Sequence, residues 1–473
     1  MEHALLVERS YSSRIRQRRF VAFALGLFLF SVYLFVYRGG FHSVDEVSMF
    51  AVTESLVKLG QVDTDQIAWT QWATSQAEAQ GFFGHDGHVY SKKGLALSLA
   101  QAPLYAGALW VPSLGMLQTV SLLNSIITAA TAVIIFMFSW RMGFSGVVSL
   151  FTSLVFGLAT IAFVYAKYLF SEPLAGLFLL LAAYMLFAFR QEGGNRHVVI
   201  AGLAAASAVM TRANNLFLLP IYLLYLFWVE YNHLEYKENP KNLTGQSGRN
   251  FVSCLTQPAA LKTTVAFIVA LALPTIVLLA YNLIRSGNPF QTGYDLTLFS
   301  ANLPLGFYKL LFSPLRGFFI YSPILLLSLP GWWWLRQRFP AESLLFLGIT
   351  GVTLVLFSTW SSGEGLSWGS RFLVPVVPFF AICLAPVIER VVASHTRLPN
   401  KGNRGLMIIF FVLLVISFLI QFLGVTINPW VYQAKMQADF GGEFFLENTS
   451  ALYVFRTSRI SGQLSGVSVE NSE

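Results

Sequence analysis

Long apolar runs separated by short polar stretches recur along the whole chain. The first covers residues 20–37 and follows the basic residues Arg14, Arg16, Arg18 and Arg19. Others occupy 117–139, 146–166, 172–189, 197–211, 214–229, 264–284, 317–335, 342–360, 372–389 and 405–425. Runs of about 20 residues match the length a helix needs to cross roughly 30 Å of hydrocarbon. The pattern predicts an all-α membrane protein with about 11 transmembrane helices over residues 1–425. A signal peptide is the weaker explanation of the first run, because no small-residue cleavage site follows it and many more runs come after. The stretch 94–112 is also apolar but holds Gln101, Pro103 and Pro112, and it is expected to lie in the membrane interface or dip into it. Residues 38–94 then form a long first extracytoplasmic loop with interfacial helices, and 426–473 an extracytoplasmic tail.

Composition agrees. Apolar residues make up 55% of the chain and charged residues 11%, against about 25% charged in a typical globular domain. Placing the N-terminus in the cytoplasm gathers Arg141, Arg190, Arg196, Arg336, Arg338 and Arg390 on the inner side, where the positive-inside rule puts them. Counting 94–112 as a full span would move Arg141, Arg190 and Arg196 outside. The net charge of +8 is therefore a matter of orientation and calls for no nucleic-acid partner. The expected location is the plasma (inner) membrane. Cys254 and Cys383 form no plausible disulfide, and no Cys/His metal spacing occurs, so no metal or other cofactor is predicted.

Candidate chemistry collects on the predicted outer face. Asp45-Glu46 follows the first run and opens a helical pattern over 45–59, with Ser43 or Asp45 as its N-cap. Two explanations stand for the pair, helix capping or chemistry at the membrane surface. Lys92 and Lys93 precede the interfacial stretch, as snorkelling anchors or as phosphate ligands. Glu172 sits before Pro173 at a helix start. Arg212 follows Met210-Thr211 in a tight turn, and Arg371 stands at the entrance of a span. Charges at such depths usually pair or line a cavity. Carboxylates together with phosphate-binding cations suit group transfer from an anionic lipid carrier. Asp63-Thr64-Asp65 matches a nucleotide-sugar pattern, yet it lies outside the membrane in this topology and is too short to carry weight. Arg316 is a further phosphate candidate.

In order and sidedness these residues resemble those of the GT-C glycosyltransferases, multi-span enzymes that use polyprenyl-phosphate-linked sugars, such as the protein O-mannosyltransferases and lipid A aminoarabinose transferases. The points of likeness are Asp45-Glu46 after the first span and Lys93, with Lys92 beside it, before an interfacial helix. Glu172 matches at the fourth span, Arg212 after a Met-Thr pair, and Arg371-Phe372-Leu373-Val374-Pro375-Val376-Val377-Pro378 at a later one. The second acid is often Asp in relatives and is Glu here. The resemblance implies an inverting transfer to an acceptor glycan, lipid or protein. Asp45 would be general base with Glu46 assisting or positioning it, and Glu172 would orient the acceptor or sugar. Lys93, Arg212, Arg371 and, more weakly, Lys92 would bind the donor phosphate. A transporter or flippase of lipid-linked saccharides is the alternative.

Overall fold

The computed structural model describes residues 2–67, 81–238, 257–294, 296–361, 367–396, 401–426, 453, 455 and 458–463. Cys254, much of the loop at 230–262 and most of the tail at 426–473 lie outside them. Helices are numbered in chain order, with the shortest pieces left unnumbered. They are α1 Glu2–Phe35, α2 Val44–Leu59, α3 Ala96–Trp110, α4 Leu123–Arg141, α5 Gly146–Ala159, α6 Glu172–Glu192, α7 Asn195–Thr211 and α8 Leu219–Glu238. After these come α9 Pro258–Ser286, α10 Leu303–Leu311, α11 Ser328–Arg338, α12 Pro340–Ser358, α13 Val377–Cys383, α14 Ala385–Thr396 and α15 Lys401–Thr426.

Among the described residues, 8 helical segments are long and apolar enough to cross a membrane. The other three predicted spans fall on shorter or broken helices. The run at 146–166 breaks after α5, where Thr160 turns to an extended backbone. The run at 197–211 falls on α7, which has 17 residues. The run at 317–335 splits at Ser322-Pro323 into Phe318–Tyr321, a 3-10 turn Pro323–Leu327 and α11. Proline lacks the N–H and drives the preceding residue out of the helical region. The predicted interfacial stretch is α3, whose 15 residues reach about 22 Å at 1.5 Å per residue.

The segment Arg371–Ala393 lies at the centre of the bundle. Buried residues make up 89% of its apolar window, against 22% for Ala260–Ser286 and 17% for Arg404–Thr426. The outer helices turn Leu273, Ile276, Val412 and Val415 outward, as a lipid-facing surface requires.

The first loop holds α2, a 3-10 turn Asp65–Ile67 and a hairpin too short for the apolar pattern to mark. Strands β1 Gly81–Phe83 and β2 Val89–Ser91 pair antiparallel, with Phe82 opposite Tyr90. Gly87 closes the turn at φ +88, a conformation open to glycine at no steric cost.

The bundle has two distinguishable ends. Helix α6 begins at Glu172 and finishes at Glu192. Around its finish, Arg141 pairs with Glu192, Arg190 with Glu342, and Arg338 with Glu389. Around its start lies a different set of charges.

Candidate functional site

Helix α2 carries Asp45 in its first turn. Ser43 is the N-cap and accepts from the Glu46 N–H, while Gly60 ends the helix in the left-handed conformation. Asp45 is 9% exposed. Its Oδ1 lies 3.0 Å from Lys93 Nζ and its Oδ2 accepts from Arg371 Nη1 at 2.9 Å. Burial pushes the Asp45 carboxyl up, but Lys93, Arg371 and the more distant Arg212 outweigh it and hold the group at about 2. Burial likewise works against the Lys93 ammonium, but Asp45 and Tyr294 together outweigh it and leave Lys93 above its ordinary value.

Arg371 reaches a second carboxylate. Its Nε lies 3.1 Å from Glu172 Oε1, and the same oxygen is paired with Arg212 Nη1. Glu172 is 1% exposed and opens α6 next to Pro173. Arg212 stands where α7 gives way to the 3-10 turn Ala213–Leu218. Its guanidinium lies over Phe357 and Phe372, and that of Arg371 over Phe170 and Phe372. Five of the seven charged residues that carry the resemblance thus form one chain of ion pairs, Lys93–Asp45–Arg371–Glu172–Arg212. Three cations face two carboxylates, which leaves one positive charge over.

The other two candidates stand apart. Glu46 is fully buried but turned away from Asp45. It accepts backbone N–H bonds from His42 at 2.7 Å and Leu169 at 3.1 Å, and so ties the first loop to the segment leading into Glu172. Lys92 is half-buried beside the chain of ion pairs and not in it. Asp63 and Asp65 are engaged locally. Asp63 Oδ1 accepts from Ser55 Oγ at 3.4 Å, and Asp65 from the Val89 N–H at 2.7 Å, with His88 Nδ1 at 2.5 Å from its other oxygen. Arg316 is buried outside the ion-pair chain.

Further neighbours of the site carry no mark in the local sequence. Lys93 Nζ donates to Tyr294 Oη at 3.3 Å, and the Tyr294 ring packs edge-on against Trp360. Ser48 Oγ donates to Ser91 Oγ at 2.7 Å, and Ser91 Oγ accepts from the Lys93 N–H at 3.1 Å, which fastens α2 to the lysine loop. Tyr294 lies 201 residues from Lys93, and nothing in its local sequence marks it.

No family model and no curated protein matches the chain by sequence. The structure is similar to the crystal structure of the Archaeoglobus fulgidus oligosaccharyltransferase in the apo form, with a TM-score of 0.50 and 10% identity, over 93% of this chain and 60% of that one. The chain thus spans about three fifths of that protein's length. ArnT from Cupriavidus metallidurans bound to undecaprenyl phosphate gives a TM-score of 0.47 and 12% identity, over 96% and 88% of the two chains. At such identities the likeness is one of fold. The chain thus shares the multi-span helical fold of that oligosaccharyltransferase.

Proposed function

We propose that this chain is a membrane glycosyltransferase that moves a sugar from a polyprenyl-phosphate carrier to an acceptor bearing a hydroxyl or phosphate. One observation carries this: three cations and two carboxylates converge at one end of a multi-span bundle with a positive charge in excess. An anionic phosphate meets complementary charge there, and a carboxylate stands beside it to take a proton.

In the proposed step an acceptor oxygen attacks the anomeric carbon from the face opposite the phosphate. The carbon–oxygen bond to the phosphate breaks, and polyprenyl phosphate leaves with the bonding pair. The configuration inverts, and the proton of a hydroxyl acceptor passes to Asp45, whereas an ionised phosphate oxygen attacks without one to lose. Lys93, Arg212 and Arg371 hold the departing phosphate, with Lys92 at its margin. Glu172 keeps Arg212 and Arg371 aimed and orients the acceptor or sugar, while Glu46 positions Asp45 through the backbone. A carboxylate held at about 2 is a poor base at neutral pH. Phosphate oxygens compete with Asp45 for Lys93 and Arg371, so donor binding loosens those pairs and raises its proton affinity. These cations meet the phosphate charge, and the proposal calls for no resident metal.

The test uses purified protein in lipid with a polyprenyl-phosphate-linked sugar, and follows release of polyprenyl phosphate. For Asp45→Asn, kcat is expected to fall about 10²- to 10⁴-fold, the usual share of a general base, with KM unchanged or lower because two cations lose their competitor. Carrier translocated across the bilayer without release of polyprenyl phosphate would identify a flippase instead and refute the proposal.

A further inference from the structure

We propose that Arg285 is a positioning residue of this site: its buried guanidinium clamps the backbone of the Lys93 loop and joins it to the loop that carries Tyr294. Arg285 lies in the last turn of α9 and is 2% exposed. Its Nη1 donates to the carbonyls of Ser91 at 2.8 Å and Lys93 at 3.4 Å. Its Nη2 donates to Asn282 Oδ1 at 2.7 Å and to the Gln291 carbonyl at 3.3 Å. The guanidinium lies over the Tyr281 ring, 4.7 Å from its centroid, and the Tyr281 hydroxyl itself donates to the Lys93 carbonyl at 3.4 Å.

These four acceptors are neutral oxygens. Burying a full charge among dipoles is costly, and an apolar side chain of similar volume is often the more stable choice in such a place. What the arginine supplies is geometry. Its planar fork satisfies carbonyls of two separate loops at once, which a lysine ammonium on a flexible stem does not reproduce. One of those loops brings Lys93 Nζ to Asp45, and the other brings Tyr294 to Lys93. Ser91, which Arg285 grips by its carbonyl, is bound through its hydroxyl to Ser48 of α2, the helix of Asp45. The clamp therefore sets both members of the Lys93–Asp45 pair.

The kinetic half of this inference rests on the glycosyl-transfer reading; its structural half does not. Two measurements on the full-length protein in lipid test it. The first uses no substrate and follows acylation of lysines by an amine-reactive reagent, read by mass spectrometry. Lys93 is 13% exposed and ion-paired, so its labelling requires local opening. Arg285→Gln and Arg285→Lys are each expected to raise its labelling rate by at least about tenfold, with Lys58 as an unchanged reference. The second is a double-mutant cycle on sugar transfer. Arg285→Gln is expected to lower kcat, yet to add nothing on top of Lys93→Ala, because both remove the same ammonium from the site. Should Arg285→Gln not fold, Arg285→Lys carries both measurements. Unchanged Lys93 labelling in a folded variant, or additive losses in the cycle, would overturn the proposal. If the wild-type protein transfers no sugar, the functional proposal fails and the labelling still decides on the clamp.

Discussion

Asp45 and Glu46 are neighbours in sequence and strangers in space. Consecutive residues on a helix point about 100° apart, so two adjacent carboxylates at an N-terminus meet different neighbours. Asp45 turns to Lys93 and Arg371, while Glu46 turns to the backbone of His42 and Leu169. Glu46→Ala leaves two buried N–H groups without acceptors, each worth about 1–3 kcal/mol. A marked drop in thermal stability is expected, whereas Glu46→Gln, which keeps one acceptor but turns its amide NH2 towards the other N–H, is expected to lose about half as much, with kcat close to wild type. A catalytic role beside Asp45 would show the opposite, with Glu46→Gln stable and inactive. For Asp45 the charge shows in pH. Its folded-state value of about 2 lies below the ordinary 3.8. The ion pairs' contribution is therefore complete above the ordinary value and is lost as pH falls towards the folded one. Wild-type protein is expected to lose stability over that window faster than Asp45→Asn, as thermal unfolding at a series of pH values would show. The acid at position 45 stood out in the sequence because it followed the first span. The division of labour within the pair did not, since it depends on which loops fold against α2.

At the scale of elements, apolar runs marked the helices well, and breaks within runs were harder to see. Residues 146–166 read as one span because every residue near Thr160 is uncharged, yet the backbone extends there and the helix stops. The hairpin at 81–91 escaped notice because strands of three residues leave no periodicity to detect. Close approach between elements is likewise invisible in sequence. A Cβ placed on Gly94 would stand 2.4 Å from the carbonyl oxygens of Met210 and Thr211. The residue after Lys93 therefore packs directly on the residues before Arg212, and only glycine fits. Gly94→Ala is expected to push the Lys93 loop off the end of α7 and lower sugar transfer by roughly tenfold or more, the scale at which small misplacements cost catalysis. Gly107→Ala serves as the control, because nothing lies within 4 Å of a Cβ there. Equal activity in the two variants would show that this contact does not position the lysine.

Across the whole molecule, the two ends of the bundle differ in what their charges do. The end at Glu192 carries Arg141, Arg190, Arg338 and Arg390, three of them in ion pairs and Arg390 stacked 3.7 Å over Trp334. Trp332 and Trp333 lie beneath Arg336 at the same end of α11. Arginine and tryptophan together at helix ends are the mark of a membrane interface, and an excess of arginine marks the cytoplasmic one. The end at Glu172 carries Asp45, Lys93, Arg212 and Arg371, and α6 separates the two ends by 21 residues, about 31 Å at 1.5 Å per residue and so about one hydrocarbon thickness. On this ground we propose that the ion-pair chain faces the extracytoplasmic side. A reporter fused after residue 140 is expected to read cytoplasmic, and one fused near residue 170 external. The proposed transfer depends on this sidedness, because an outward-facing site meets sugars on lipid carriers and not cytoplasmic nucleotide sugars. An inverted pair of reporter signals would put Asp45 in the cytoplasm and remove one of the two reasons for setting aside Asp63-Thr64-Asp65. Concordant signals would leave the ion-pair chain where a polyprenyl-phosphate donor presents its headgroup.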